Sequence, residues 1–241
     1  MSPVPWLPGP GPPQEEVRKM SFATVWRSPW KPFRFKVLAP AYRASAGRPR
    51  VLDMGCGNDA PATTKLWWPR CEYSGLDRGF EGYSARDLSA LDHAYVVDCG
   101  IQPLAVLPDA SFDIIIVSHI LEHLTNGLEV LQELSGKLAP GGHMYIEFPS
   151  VRSLGLPSMR GCLNFCDDAT HVRVYGLREV ANALLERGLR IVRAGVRRDL
   201  APILSLPAWL AWQRLRGRPI LGCYFWDLTG FASYLLARRR D

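Results

Sequence analysis

Three acidic residues each stand at the end of a short apolar run, and two glycines follow the first of them. The segments are Asp53-Met54-Gly55-Cys56-Gly57, Leu76-Asp77 and Val97-Asp98-Cys99. Glycine carries no Cβ, so Gly55 and Gly57 let the backbone bend tightly and approach a ligand closely. A dinucleotide fold would add a third glycine to seat a pyrophosphate on a helix N-terminus, whereas here Gly57 is followed by Asn58, Asp59 and Ala60. An acid directly before the glycines is unfavourable to a pyrophosphate and suits a cofactor with a positively charged amino group. Asp77 is placed to accept two hydrogen bonds from a ribose diol, and Asp98 one from an adenine amino group. Cys56 reads as a small residue in a tight place and Cys99 as packing.

A second set lies further on, in Asn164-Phe165-Cys166-Asp167-Asp168-Ala169-Thr170-His171-Val172-Arg173-Val174-Tyr175. His171 is the side chain best suited to take a proton from a hydroxyl near neutral pH. Asp168 is placed to orient it, and Arg173, with Tyr175 beside it, to bind an anionic group on an acceptor. The competing reading is a loop knitted by its own hydrogen bonds, with Arg173 paired to Asp167 or Asp168. A metal set of Asp167, Asp168 and His171 lacks a second histidine at supporting spacing, so no metal is expected. Ser118 and His119 follow another apolar run and line the same edge. Glu122 and His123 read equally well as a helix start.

The elements that must hold these residues are legible as apolar runs separated by turn signals and helical stretches, the pattern of a parallel α/β sheet. Strands are expected at Arg50–Met54, Glu72–Leu76, Ala94–Val97, Phe112–Val117, His143–Phe148, Leu189–Val196 and Phe231–Leu236. The run Ile114-Ile115-Ile116-Val117 suits a strand buried on both faces. Helices are expected over Leu124–Leu138, stopped by Pro140-Gly141-Gly142, and over Leu177–Arg187, closed by Gly188. A parallel sheet binds its ligand outside the carboxyl ends of its strands, and the acids named above stand there.

Around this domain, residues 49–241, lie a Pro- and Gly-dense leader (1–13) and an aromatic, basic arm (14–48). The arm is either a helix or two packing on the sheet edge or a lid over the site. Two insertions are expected, an acceptor-side loop over 149–176 and a cap over 199–225. The latter's Trp- and Arg-bearing stretch reads either as packing or as a segment at a membrane interface. The 241 residues, 47% hydrophobic and 22% charged, suit one α/β domain with extensions. A formal charge of +6 is a modest basic excess that does not by itself indicate nucleic acid. Six cysteines without paired spacing read as reduced thiols, and no secretory signal or membrane span is evident, so a cytoplasmic protein is expected.

Taken with Phe112-Asp113-Ile114-Ile115, Leu121-Glu122-His123-Leu124 and Leu138-Ala139-Pro140-Gly141-Gly142, the glycine and acid segments resemble the class I methyltransferases over about Arg50 to Phe148. The resemblance implies S-adenosylmethionine as cofactor on a Rossmann-like, seven-stranded, mainly parallel sheet flanked by helices, with an antiparallel last strand. It implies that Gly55 and Gly57 border the methionine part, with Cys56 between them and Asp53 nearby, directly or through water. Asp77 would then bind ribose and Asp98 adenine, Cys99 would contribute backbone, and Ser118 and His119 would line the reaction centre. Ser118-His119-Ile120-Leu121 stands where many nucleobase amine methylases carry Asn/Asp-Pro-Pro-aromatic, so nucleic acid is not favoured. The Asp168 to Arg173 stretch is similar to one in bacterial methyltransferases associated with glycan or lipid synthesis. O-methylation of a small-molecule or glycan/lipid-linked acceptor is therefore expected, with His171, Asp168 and His119 catalytic. The alternatives are an RNA methyltransferase and a cofactor-binding module without activity.

Overall fold

The computed structural model describes residues 31–45 and 47–241. The expected leader and the first part of the arm lie outside the described residues.

Seven strands form one sheet: β1 (Arg50–Met54), β2 (Glu72–Asp77), β3 (His93–Val96), β4 (Phe112–Ser118), β5 (Leu138–Pro149), β6 (Arg190–Val196) and β7 (Ala232–Arg238). Their order is β3-β2-β1-β4-β5-β7-β6, and only β7 runs antiparallel to its neighbours. This is the Rossmann-like architecture expected. Ile114 to Val117 are fully buried, as a central strand covered on both faces requires.

One face carries α5 (Gly127–Lys137) and α6 (Leu177–Glu186), packed on Leu52, Met54, Ile115, Val117 and Ile146. The other face meets α1 (Phe33–Val37), α2 (Ala39–Ala44) and α3 (Ala60–Trp67). Phe35 and Tyr42 close on Trp68 there, the first edge-on at 4.8 Å and the second stacked at 4.7 Å. The helix α4 (Ala85–Leu88) follows β2. The remaining helices, α7 (Leu200–Leu215) and α8 (Trp226–Thr229), lie between β6 and β7, above a separate small apolar cluster of Leu163, Leu221, Trp226 and Phe231.

Most boundaries shift by a residue or two, and the two largest departures have physical reasons. α5 begins at Gly127 rather than Leu124. Leu121–His123 form a single 3-10 turn, and the Tyr175 hydroxyl donates to Leu124 O (2.5 Å) while accepting from the Gly127 N–H (3.1 Å). That tyrosine fixes the start of α5 from another part of the chain. β5 begins at Leu138 rather than His143, because Leu138 pairs with Phe112 before the ladder shifts register and resumes at Ile114↔His143. Gly141, at φ 72°, takes up the irregularity.

Candidate active site

The carboxyl ends of β1, β2 and β4 place the cradle. Gly55 (φ 62°) and Gly57 (φ 64°) are both in the left-handed region. A Cβ on Gly55 would lie 2.0 Å from Ile120 Cδ1, so any other residue would displace that side chain as well as strain the left-handed backbone where this turn meets the one after β4. A Cβ on Gly57 would meet nothing within 4 Å, and its N–H instead points to Asp77 Oδ2 at 3.2 Å. Asp77 Oδ1 takes the Arg78 N–H (2.7 Å), and Oδ2 also takes the Tyr83 hydroxyl (2.6 Å). Asn58 ties the turn to the β2–α4 loop by bonding Gly82 O and the Ser84 N–H. The space above Gly57 is open beside the half-buried Asp77 carboxylate.

Asp53 is buried and accepts from the Tyr73 hydroxyl at 2.9 Å. Burial pushes its pKa up to about 6, against the opposing pull of Arg34 and the Tyr73 bond. It braces the cradle from beneath. Cys56 is buried with Sγ 3.3 Å from the Tyr83 oxygen, and burial pushes its thiol up to about 12, leaving it unreactive. Asp98, half-buried, accepts the Gly100 N–H on Oδ1, and Cys99 O takes the Asn126 amide.

Beyond Ser118, which pairs with Glu147 in the sheet, His119 adopts φ 55°. Its Nδ1 lies 3.1 Å from Glu122 Oε1 and its Nε2 3.0 Å from Glu147 Oε1. Trp226 packs on the ring at 4.8 Å. Burial alone would lower the His119 pKa, and the bonds to Glu122 and Glu147 outweigh it, raising it to about 9. His119 is thus an imidazolium at neutral pH, engaged at both nitrogens, and not a base for an acceptor. Glu147 also accepts from the Tyr145 hydroxyl and from Arg197 Nη1 (2.8 Å), and Arg197 grips Asp227 with two bonds (3.0 and 2.8 Å). None of Glu147, Arg197 or Asp227 stood out in the sequence, because they come from the ends of two strands, β5 and β6, and from the late helix α8.

Since the folded-state pKa of His119 lies above the unfolded value of 6.5, its contribution to stability is whole below that pH and is lost as pH rises through about 9. Urea denaturation between these limits should show stability falling by up to about 3 kcal/mol. His119→Gln should flatten that slope, and an unchanged slope would contradict the assignment.

His171 reaches the same edge from the acceptor-side loop. Its Nδ1 lies 2.7 Å from Phe165 O. A carbonyl only accepts, so Nδ1 carries a hydrogen, and Nε2 lies 3.9 Å from Asp168 Oδ2 and 4.0 Å from Glu122 Oε1. Glu122 is buried, and its Oε2 has no hydrogen-bond partner. His123, absent from the expected set, packs 4.9 Å from the His171 ring and bonds Thr170. Glu122, His123 and His171 offer ligand atoms within 4.8 Å of one another, a grouping that sequence spacing concealed. Among the described residues, the alternative grouping of Asp167, Asp168 and His171 weighed from the sequence does not come together as a three-ligand set. Asp167 is spent on the loop itself, its Oδ2 taking the N–H groups of Met159, Leu163 and Asn164.

Two acceptor-binding expectations are corrected. Tyr175 is 1% exposed, and its hydroxyl is consumed at the start of α5. Arg173 is paired with Glu179 on α6 and donates to Thr125 O (3.0 Å), with its guanidinium 4.6 Å from the Tyr175 ring. Neither Asp167 nor Asp168 is its partner. Both residues brace α5 against α6.

Comparison with known proteins agrees with this geometry. The profile of a methyltransferase domain matches residues 30–194. The tRNA U34 carboxymethyltransferase of Idiomarina loihiensis is 30% identical over 150 residues, 59% of this chain and 43% of that protein. The chain thus spans less than half the length of that relative. The ubiquinone biosynthesis O-methyltransferase of Ralstonia nicotianae is 25% identical over 197 residues, 79% of this chain and 76% of its own. An S-adenosylmethionine-dependent methyltransferase from Mesorhizobium loti shares the fold at TM-score 0.57 and 19% identity, covering 84% of this chain and 97% of that one. The chain belongs to the methyltransferase-domain family. Its sheet order and fold are those of the class I methyltransferases.

Proposed function

We propose that the protein methylates a hydroxyl oxygen on a small or glycan/lipid-linked acceptor, with His171 as the base. The observation that carries this reading is the placement of His171 Nε2, with Nδ1 held by Phe165 O, between Asp168 of the acceptor-side loop and Glu122 of the turn whose Ile120 meets Gly55. S-adenosylmethionine, when bound, supplies an electrophilic methyl group on a sulfonium sulfur. Asp77 would hold its ribose, Asp98 its adenine, and the Gly55–Gly57 turn with Cys56, backed by Asp53, its amino-acid end; Cys99 and Ser118 would border the same space. His171 Nε2 accepts the hydroxyl proton as the oxygen attacks, and Asp168 and Glu122 stabilise the imidazolium that forms. Phe165 O keeps the ring in the required tautomer. The remaining work of the residues is positioning, which an in-line displacement chiefly needs.

The tRNA relative and the +6 charge favour a second reading, in which the acceptor belongs to RNA. Incubating the protein and labelled cofactor with separated lipid, glycan, small-molecule and RNA fractions of a cell extract tests both. Label in an alcohol-bearing fraction that His171→Ala abolishes supports the proposal. Label confined to RNA, or labelling indifferent to His171, overturns it.

A further inference from the structure

Helix α7 turns an apolar side to solvent. Its buried residues are Leu206 and Gln213. On the opposite side Leu200 is 70% exposed, Leu204 78%, Trp212 45% and Leu215 84%, and Ala208 and Ala211 are exposed between them. These positions recur at the helical repeat, so they form one continuous stripe. Single exposed leucines are ordinary, but a contiguous stripe of them marks a surface that meets something apolar. Among the described residues no side chain covers it.

Charge identifies the occupant. No Asp or Glu occurs from Leu200 to Trp226, whereas Arg214, Arg216 and Arg218 are exposed at the end of the helix. The Arg216 guanidinium lies 4.3 Å over the Trp212 ring. Leucines along one side, a tryptophan at the margin and a basic end without acids are the pattern of a helix lying in a bilayer interface. Its apolar side enters the acyl boundary, its indole sits at headgroup level and its guanidiniums bind lipid phosphates. No helix among the described residues is long and apolar enough to cross a membrane, so the contact is in-plane.

The helix is tied to the site. Asp199 caps its first turn, pairs with Lys36 (2.6 Å), and donates its own N–H to Asp227 Oδ1 (3.0 Å), the carboxylate gripped by Arg197. Trp226, at the start of α8, packs on His119. The apolar stripe is therefore braced on the same network that underlies the candidate reaction centre.

We infer that α7 seats the protein on an anionic bilayer surface, so that its methyl acceptor is a lipid-linked alcohol presented from that surface. The acceptor half rests on the function proposed above, and the docking half does not. The full chain should co-sediment with vesicles of phosphatidylcholine and phosphatidylglycerol in equal parts, and weakly with phosphatidylcholine alone. Leu204→Glu with Leu215→Glu should weaken binding roughly a hundredfold, while S-adenosylhomocysteine binding and the circular dichroism spectrum stay unchanged. Arg214, Arg216 and Arg218 changed together to Gln should remove the preference for phosphatidylglycerol. Absence of vesicle binding by the wild type, or equal binding by the double Glu variant, overturns the inference. So does a wild-type dimer, broken by the same two changes, that ignores vesicles, since the stripe would then join two copies of the chain. Vesicle binding without binding of S-adenosylhomocysteine would instead defeat the methyltransferase reading and leave the docking intact.

Discussion

Arg197→Met is expected to destabilise the fold by about 3–5 kcal/mol. Arg197 is largely enclosed and donates to Glu147 and twice to Asp227, both buried. Burial by itself would raise the Glu147 pKa, and Arg197, with the His119 and Tyr145 bonds, outweighs it and holds the carboxyl well below the usual carboxylate range. Removing the guanidinium leaves two carboxylates in a water-poor site with one imidazolium between Glu147 and Glu122, and each uncompensated charge costs several kcal/mol. Asp227 also accepts the Asp199 N–H, so the attachment of α7 should loosen as well. Urea unfolding followed by circular dichroism measures the loss. A change below about 1 kcal/mol, the range of an exposed ion pair, would show that the network does not bear on stability.

The second large effect is catalytic. His171→Ala should lower turnover by about a hundredfold to ten-thousandfold, the range for loss of a general base, while affinity for S-adenosylhomocysteine stays within about twofold of wild type. The split follows from placement. His171 stands on the acceptor-side loop and is fixed by Phe165 O, whereas the cradle is built from the ends of β1 and β2. Asp168→Asn should cost much less. Its Oδ1 is committed to Thr170, and the side chain is partly exposed, so water screens its charge. A parallel fall in cofactor affinity and turnover would make His171 a structural residue.

The sheet was legible because its central strands are buried on both faces and print as unbroken apolar runs, Ile114 to Val117 most plainly. Short-range rules failed where distant residues act. The hydroxyl of Tyr175 delays the start of α5, and Phe112 draws Leu138 into β5 across the Gly141 turn. The same limit applied to the site. Gly57 and Asp77 are adjacent in space because one follows and the other ends a strand of one parallel pair, a relation that topology encodes and sequence reveals. The engagement of His119 by Glu147, and the approach of His123 to His171, depend on side chains that no periodicity links. For that reason His119 read as a catalytic candidate, although its two carboxylate partners keep it protonated. Tyr175 and Arg173 read as acceptor contacts because loop residues next to a histidine invite that reading. The burial of Tyr175 and the partners of both show instead that they fasten the start of α5 to α6.

The cofactor cradle is the centre of the account, and calorimetric titration of S-adenosylhomocysteine into the wild type and Asp77→Ala addresses it directly. The wild type should bind at a single site, and Asp77→Ala should bind about a hundredfold more weakly, the loss of two hydrogen bonds to a carboxylate. No binding by the wild type, or equal affinity in the two proteins, would contradict it.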